Sequence, residues 1–119
     1  MADGTLRHLA EVREIDIGFR RPDGSRGSTP VWVVEVGDQY FVRSMYGPRG
    51  GWYRRLRANP DGEVREQGHA HPVRAEHVTQ EETLTAVTRA FQDKYGNSPY
   101  LRPFLGRDSI EATLRLEPR

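Results

Sequence analysis

Apolar and polar residues alternate at Ile15, Asp16, Ile17, Gly18 and Phe19, near the end of the stretch Leu9–Phe19. A period of two predicts a first strand with one wet face. Arg20–Pro30 (RRPDGSRGSTP) is rich in Arg, Gly, Ser and Pro, too polar to bury and long for a hairpin connection. It is expected to be a loop, and one that holds something rather than a mobile one. The strongest pattern follows. Val31–Val36 and Gln39–Met45 are two β-rich runs separated by Gly37-Asp38, which predicts a tight hairpin with a type II′ turn, or a type I′ turn as the alternative. That turn sets a register in which Val36 faces Gln39, Val34 faces Phe41 and Trp32 faces Arg43. On the other side Val33 faces Val42 and Val31 faces Ser44.

Tyr46–Pro60 reads as a glycine-rich turn running into a short helix that Pro60 and Gly62 stop. Glu63–Gln67 and Val73–Val78 are expected strands joined by the turn Gly68–Pro72. Thr79 with Glu82 has the spacing of a capping box, Leu84, Val87 and Phe91 mark one face of a helix reaching Tyr95, and Gly96 ends it. Asn97–Asp108 is a loop. The last strand is expected where Ile110, Ala112, Leu114 and Leu116 alternate with polar residues. About six strands and two helices, mostly hairpin-connected, predict a small closed or nearly closed antiparallel barrel whose helices plug gaps and ends.

The 119 residues suit one domain spanning 1–119, and a chain of this size buries enough surface for a single core. The absence of cysteine excludes a disulfide framework, thiolate metal sites, iron–sulfur clusters and a cysteine nucleophile. The longest apolar run, Val31–Val34, is far too short to cross a bilayer, and Met1-Ala2-Asp3-Gly4 opens without a charged start and apolar stretch. A cytoplasmic protein is expected.

Charge changes the picture locally. Net charge is +1, and every cation but Lys94 is arginine. Between Gln39 and Pro60 lie Arg43, Arg49, Arg54, Arg55 and Arg57 and no acid, whereas the first thirty residues balance their arginines with acids. In Arg43–Arg54 a strand ends, glycines let backbone amides approach a ligand, and a helix begins between flanking arginines. Those are the parts of an anion site, and also of a solvated turn. Trp32 opposite Arg43 is equally consistent with a cation–π pair that only stabilises the sheet. Tyr46 and Tyr53 are candidates for proton donation or for lining a pocket, or are amphipathic packing beside the arginines.

The run from Thr29-Pro30 to Arg43-Ser44, followed by Gly51-Trp52-Tyr53-Arg54-Arg55-Leu56-Arg57-Ala58-Asn59-Pro60, resembles the flavin-binding split-barrel superfamily of the pyridoxamine phosphate oxidases. It is nearest to the deazaflavin-dependent nitroreductases, in which a tryptophan begins the short helix and Asn-Pro ends it, as Trp52 and Asn59-Pro60 do. Tyr95-Gly96 and the ending Thr113–Pro118 resemble an uncharacterised bacterial family within that superfamily. The resemblance implies a split β-barrel, mainly β with two helices, that binds FMN or a deazaflavin and acts as an oxidoreductase on a small organic substrate, commonly as a homodimer. Carried over by position, it implies that Arg43 and Ser44 contact the phosphate or ribityl chain. Gly50 and Gly51 with Arg49 or Arg54 would add donors beside Trp52, and Arg26, Ser28 and Thr29 would form a basic loop. Pyridoxamine-type oxidases carry lysine where Trp52 falls. No catalytic residue is assigned, because in such proteins the ring carries the hydride chemistry.

Two other classes of protein share parts of this pattern. A non-redox binding or accessory protein would use the same pocket for another anionic or aromatic ligand. A single-stranded nucleic-acid binder would interleave aromatics with the basic patch, but five arginines and a net charge of +1 argue against it. His69-x-His71 with His77 has no further ligand at useful spacing, so no metal site is expected.

Overall fold

A computed structural model of the chain describes Leu6 and residues 9–119; the opening Met1–Gly4 lies outside the described residues. Seven strands form one antiparallel sheet: β1 (Ile15–Arg20), β2 (Arg26–Val31), β3 (Val34–Val36), β4 (Gln39–Arg43), β5 (Asp61–Glu66), β6 (His69–His77) and β7 (Thr113–Pro118). Three helices accompany them: α1 (Gly51–Ala58), α2 (Glu81–Tyr95) and the five-residue α3 (Arg107–Glu111). The sheet order is β2-β1-β5-β6-β7-β4-β3, so consecutive strands β2 and β3 occupy opposite edges. Only Trp32 and Val33 join them. Three Cα steps span at most about 11 Å, whereas the edges of a flat seven-stranded sheet would stand about 29 Å apart. The sheet must therefore curl until its edges nearly meet, which makes the expected split barrel.

The Gly37-Asp38 hairpin forms with Val36 opposite Gln39 and Val34 opposite Phe41. Gly37 has φ +65° and Asp38 does not share a positive φ, which selects the type II′ turn over type I′. The run Val31–Val36 is nevertheless not one strand. Val31 ends β2 and pairs with Ile15, and Trp32 and Val33 leave the ladder, so the expected Trp32–Arg43, Val33–Val42 and Val31–Ser44 pairs do not form. The expected loop Arg20–Pro30 is a hairpin instead. Arg21 N–H donates to Ser25 O at 2.8 Å, Asp23 accepts from the Ser25 amide and hydroxyl, and β2 begins at Arg26. Those hydrogen bonds hold the Asp23 carboxyl below its usual range. A polar strand ending in Pro-Val is tolerated because β2 is an edge and needs only one partner.

Other boundaries shift for local reasons. Positive φ at both Gln67 and Gly68 makes the β5–β6 turn two residues long, so His69–Pro72 belongs to β6 rather than to a turn. The Thr79 capping box does not form, since Gln80 is the N-cap and makes no side-chain cap; Glu81 and Glu82 still complement the helix dipole in the first turn. Gly96 follows α2 in right-handed rather than left-handed geometry. The Asn97–Asp108 region contains a 3-10 turn, Arg102–Leu105, and the start of α3. Ile110 accordingly lies in α3, and the last strand starts at Thr113.

Strand β4 divides two cores. Tyr40 and Val42 join Ile15, Ile17, Leu56, Val64, Leu114 and Leu116 inside the barrel. Phe41, on the alternate face, joins Val34, Val87, Phe91, Tyr95 and Phe104 under α2.

Candidate functional site

A cavity of about 470 Å³ opens where the β2–β3 corner, the end of β4 and the start of α1 converge. That volume falls within the range of about 300–1,000 Å³ usual for small-molecule sites. Thr29, Pro30, Val31 and Trp32 form one wall, and Gly50, Gly51, Trp52 and Arg55 form another. Phe19 and Arg21 come from the first hairpin, Met45 and Tyr46 from the chain after β4, and Arg43 and Phe104 from the α2 side.

Of the residues expected from sequence, Thr29, Arg43, Gly50, Gly51 and Trp52 are brought together on this cavity. Arg49 and Arg54 are exposed outside its lining, and Ser44 is fully buried. Arg26 and Ser28 are exposed on β2 and do not line it. Sequence reasoning missed Phe19, Arg21, Arg55 and Phe104. Arg55 was findable: it lies three and four residues beyond Trp52 and Gly51, on the same helical face. Arg21 required knowing that Arg20–Pro30 folds back as a hairpin. Its guanidinium lies 5.7 Å from the Phe19 ring centroid and donates to Arg26 O at 2.8 Å.

The glycine pair divides its work. A Cβ on Gly50 would lie 2.0 Å from Ser44 Oγ, so Gly50 is required by packing. A Cβ on Gly51 would meet nothing within 4 Å. Gly51 therefore leaves open space beside the first amides of α1, which have no acceptor inside the helix. The 3-10 turn Gly47–Arg49 sets this entry: Gly47, at φ +66°, abuts Asp108 of α3, and Gly50 N–H donates to Gly47 O at 3.1 Å.

Arg43 is only 1% exposed. Its Nε donates to Thr113 Oγ1 and one terminal nitrogen to Thr88 Oγ1, each at 2.8 Å; that nitrogen also reaches Phe104 O at 3.1 Å, and the other donates to Leu84 O at 2.8 Å. All four acceptors are neutral. Burial lowers its pKa to about 10. Its aromatic neighbour is Phe91, 5.5 Å away, rather than Trp32.

Trp32 instead stacks on Tyr95 at 4.0 Å and on Phe104 at 4.8 Å between centroids. The last turn of α2 replaces the ladder that the corner lacks. Lys94 Nζ donates to Val33 O at 2.6 Å and Leu9 O at 3.2 Å, and Val33 N–H donates to Tyr95 Oη at 3.2 Å. Burial lowers the Lys94 pKa to about 8 and raises that of Tyr95 to about 12. Of the tyrosines considered, Tyr46 is exposed at the cavity mouth and Tyr53 is buried beside His77.

Elsewhere, a groove of about 350 Å³ lies over β1 and β5, where Glu63 pairs with Arg65 and Arg26 and Asp61 with Arg119. His69 and His71 stack at 6.2 Å while His77 bonds Glu111 O. Among the described residues no three His, Cys, Asp or Glu side chains are placed to hold a metal, and no helix is long and apolar enough to cross a membrane.

A curled antiparallel sheet closed by a two-residue corner, with an aromatic and cationic cavity at that seam, defines a split-barrel protein with a candidate small-ligand site. Within that class the chain belongs to the family described as "Uncharacterized protein conserved in bacteria (DUF2255)", which matches residues 5–116. No curated protein matches it. Among solved structures it is similar to the heme storage protein HutZ from Vibrio cholerae, with 15% identity and a TM-score of 0.71 over 99% of this chain and 90% of that one. It is also similar to an F420-H2-dependent reductase, FDR-A, with 17% identity and a TM-score of 0.62 over 88% and 94% of the two chains. A third, described as a domain-swapped dimer, is 19% identical with a TM-score of 0.65 over 98% and 87%. These likenesses establish a fold shared by proteins with different ligands.

Proposed function

We propose that this protein binds FMN or a deazaflavin in the seam cavity and acts as an oxidoreductase on a small organic molecule. The carrying observation is the joining, in one cavity, of half-exposed indoles, three arginines and the open start of α1. A planar ring and an anionic tail are what such a lining accepts. Trp32 and Trp52 offer apolar surface for the ring, and stacking on Tyr95 and Phe104 keeps Trp32 from collapsing into the space. Arg21, Arg55 and the amides at Gly51 and Trp52 supply donors for a phosphate, with the helix dipole favouring negative charge. When bound, the ring supplies the hydride chemistry, and the chain's part is orientation, hydrogen bonding and exclusion of water. Tyr46 and Met45, exposed at the mouth, border the place where a substrate or a second subunit would approach, and the dimeric neighbour supports a homodimer.

The test is titration of the purified protein with FMN and, separately, with a deazaflavin, followed by ligand fluorescence and absorbance. Quenching or a spectral shift is expected. No change with either up to about 100 µM, equivalent to less than about 5.5 kcal/mol of binding, overturns the proposal. Thermal stabilisation by a colourless anionic metabolite but by neither flavin favours the non-redox binding role.

A further inference from the structure

We infer that the seam cavity is specific for the anionic form of an ionisable aromatic ligand, and that Arg43, a full charge buried behind its wall without a counter-ion among the described residues, determines that preference. The inference rests on the cavity being a ligand site and goes beyond its proposed occupant.

Arg43 is almost completely shielded from water, and its described polar partners are two threonine hydroxyls and two backbone carbonyls. Among the described residues no charged group of α2, β7 or the 3-10 turn perturbs the guanidinium, and no carboxylate forms an ion pair with it. Neutral acceptors satisfy the N–H groups without cancelling the charge. Such a group is costly to bury, and an apolar side chain of similar size would spare the fold its desolvation. A charge kept out of water also acts through a low-dielectric medium, so its field reaches further than that of a surface cation. Arg43 lines the cavity together with its partner Phe104 and with Trp32. The other charged or titratable side chains on that lining are Arg21, Arg55 and Tyr46, and no carboxylate lies among the described lining residues. Every charged side chain on the described lining is thus a cation, and a ring that loses a proton on binding becomes the better ligand.

The probe is 4-nitrophenol, whose phenolate is coloured. Its ionisation is followed in the presence of the intact protein and compared with the free probe at the same salt. Ionisation at a pH about one unit lower is expected, a tenfold preference for the anion. At 1 M salt, where surface charges are screened over about 3 Å, the preference is expected to persist, because Arg43 is buried. Loss of the preference in salt overturns the assignment to Arg43, as does a bound probe that ionises at or above the pH of the free one, or a probe that binds in neither form. In Arg43→Gln the preference is expected to fall at least severalfold, and an unchanged preference overturns the assignment. Where that variant does not fold, the salt arm on the wild type decides. FMN titration separates the two readings. Flavin binding without anion preference removes this inference alone, and anion preference without flavin binding removes only the proposed cofactor.

Discussion

The two cores on either side of β4 are built from the same strand yet obey different rules. The cluster of apolar side chains and tyrosines inside the barrel draws its stability from area removed from water. Under α2 the layer takes in Arg43 and flanks Lys94, held by carbonyl and hydroxyl oxygens rather than acids. One turn of alternation along β4 separates Val42 from Arg43, so the difference comes from what covers each face. The barrel face is closed by sheet and α1. The α2 face is closed by a helix and a 3-10 turn whose backbone oxygens can be recruited. The cavity sits where the two meet, which gives it an apolar wall backed by charge.

That contrast can be broken experimentally. The largest effect is expected in the apolar core. Leu56→Ala should cost about 2–5 kcal/mol by denaturant unfolding, through lost transfer energy and an unfilled void. Arg43→Met should cost about 2–4 kcal/mol, because four acceptors losing their donors outweigh the desolvation that the apolar side chain spares. A variant as stable as the wild type would show that the desolvation of the charge cancels its hydrogen bonds, and that the two cores differ less than their chemistry suggests.

The glycine pair gives the next step. Gly50→Ala should lose about 1–3 kcal/mol, since Ser44 occupies the space that the methyl needs. Gly51→Ala should change stability by less than about 0.5 kcal/mol and weaken FMN or deazaflavin binding, read by the same titration. Equal effects of the two on stability would dissolve the distinction between a packing glycine and a ligand-facing one.

The smallest expected effect is electrostatic. The pKa of Lys94 falls from 10.5 to about 8 in the folded protein, so between those values the unfolded chain holds more protons and stability rises with pH. Melting temperature measured from pH 7 to 10.5 should climb in the wild type relative to Lys94→Met. Lys94 is only half-buried, so solvent screening keeps the difference modest. Parallel profiles would remove Lys94 from the account of the corner.

Much of the fold was legible because it is local. The Gly37-Asp38 turn, the Trp52 helix ended by Asn59-Pro60, and the Leu84, Val87, Phe91 face of α2 are written in spacing that needs no distant partner. The β2 strand was not. Arg26–Pro30 has the composition of a loop, and it became a strand because β1 offered an edge. The capping box failed for the converse reason: the spacing was present, but the helix began one residue later. For the site, the glycines and Trp52 were visible as a turn entering a helix, whereas Arg21 and Phe104 reach it only through the curl.

By itself, then, the chain's pattern determined the Gly37-Asp38 hairpin, the helix faces and the concentration of arginines around the α1 entry, all consequences of periodicity and backbone stereochemistry within a few residues. Tertiary structure decided that β2 and β3 lie at opposite edges of a rolled sheet, that Trp32 leaves its strand to stack on Tyr95 and Phe104, and that the Arg43 guanidinium is bonded inward while Arg55 takes the cavity. Those outcomes depend on which distant oxygens and rings become neighbours, and long-range neighbours are set by closure of the whole sheet rather than by any segment of it.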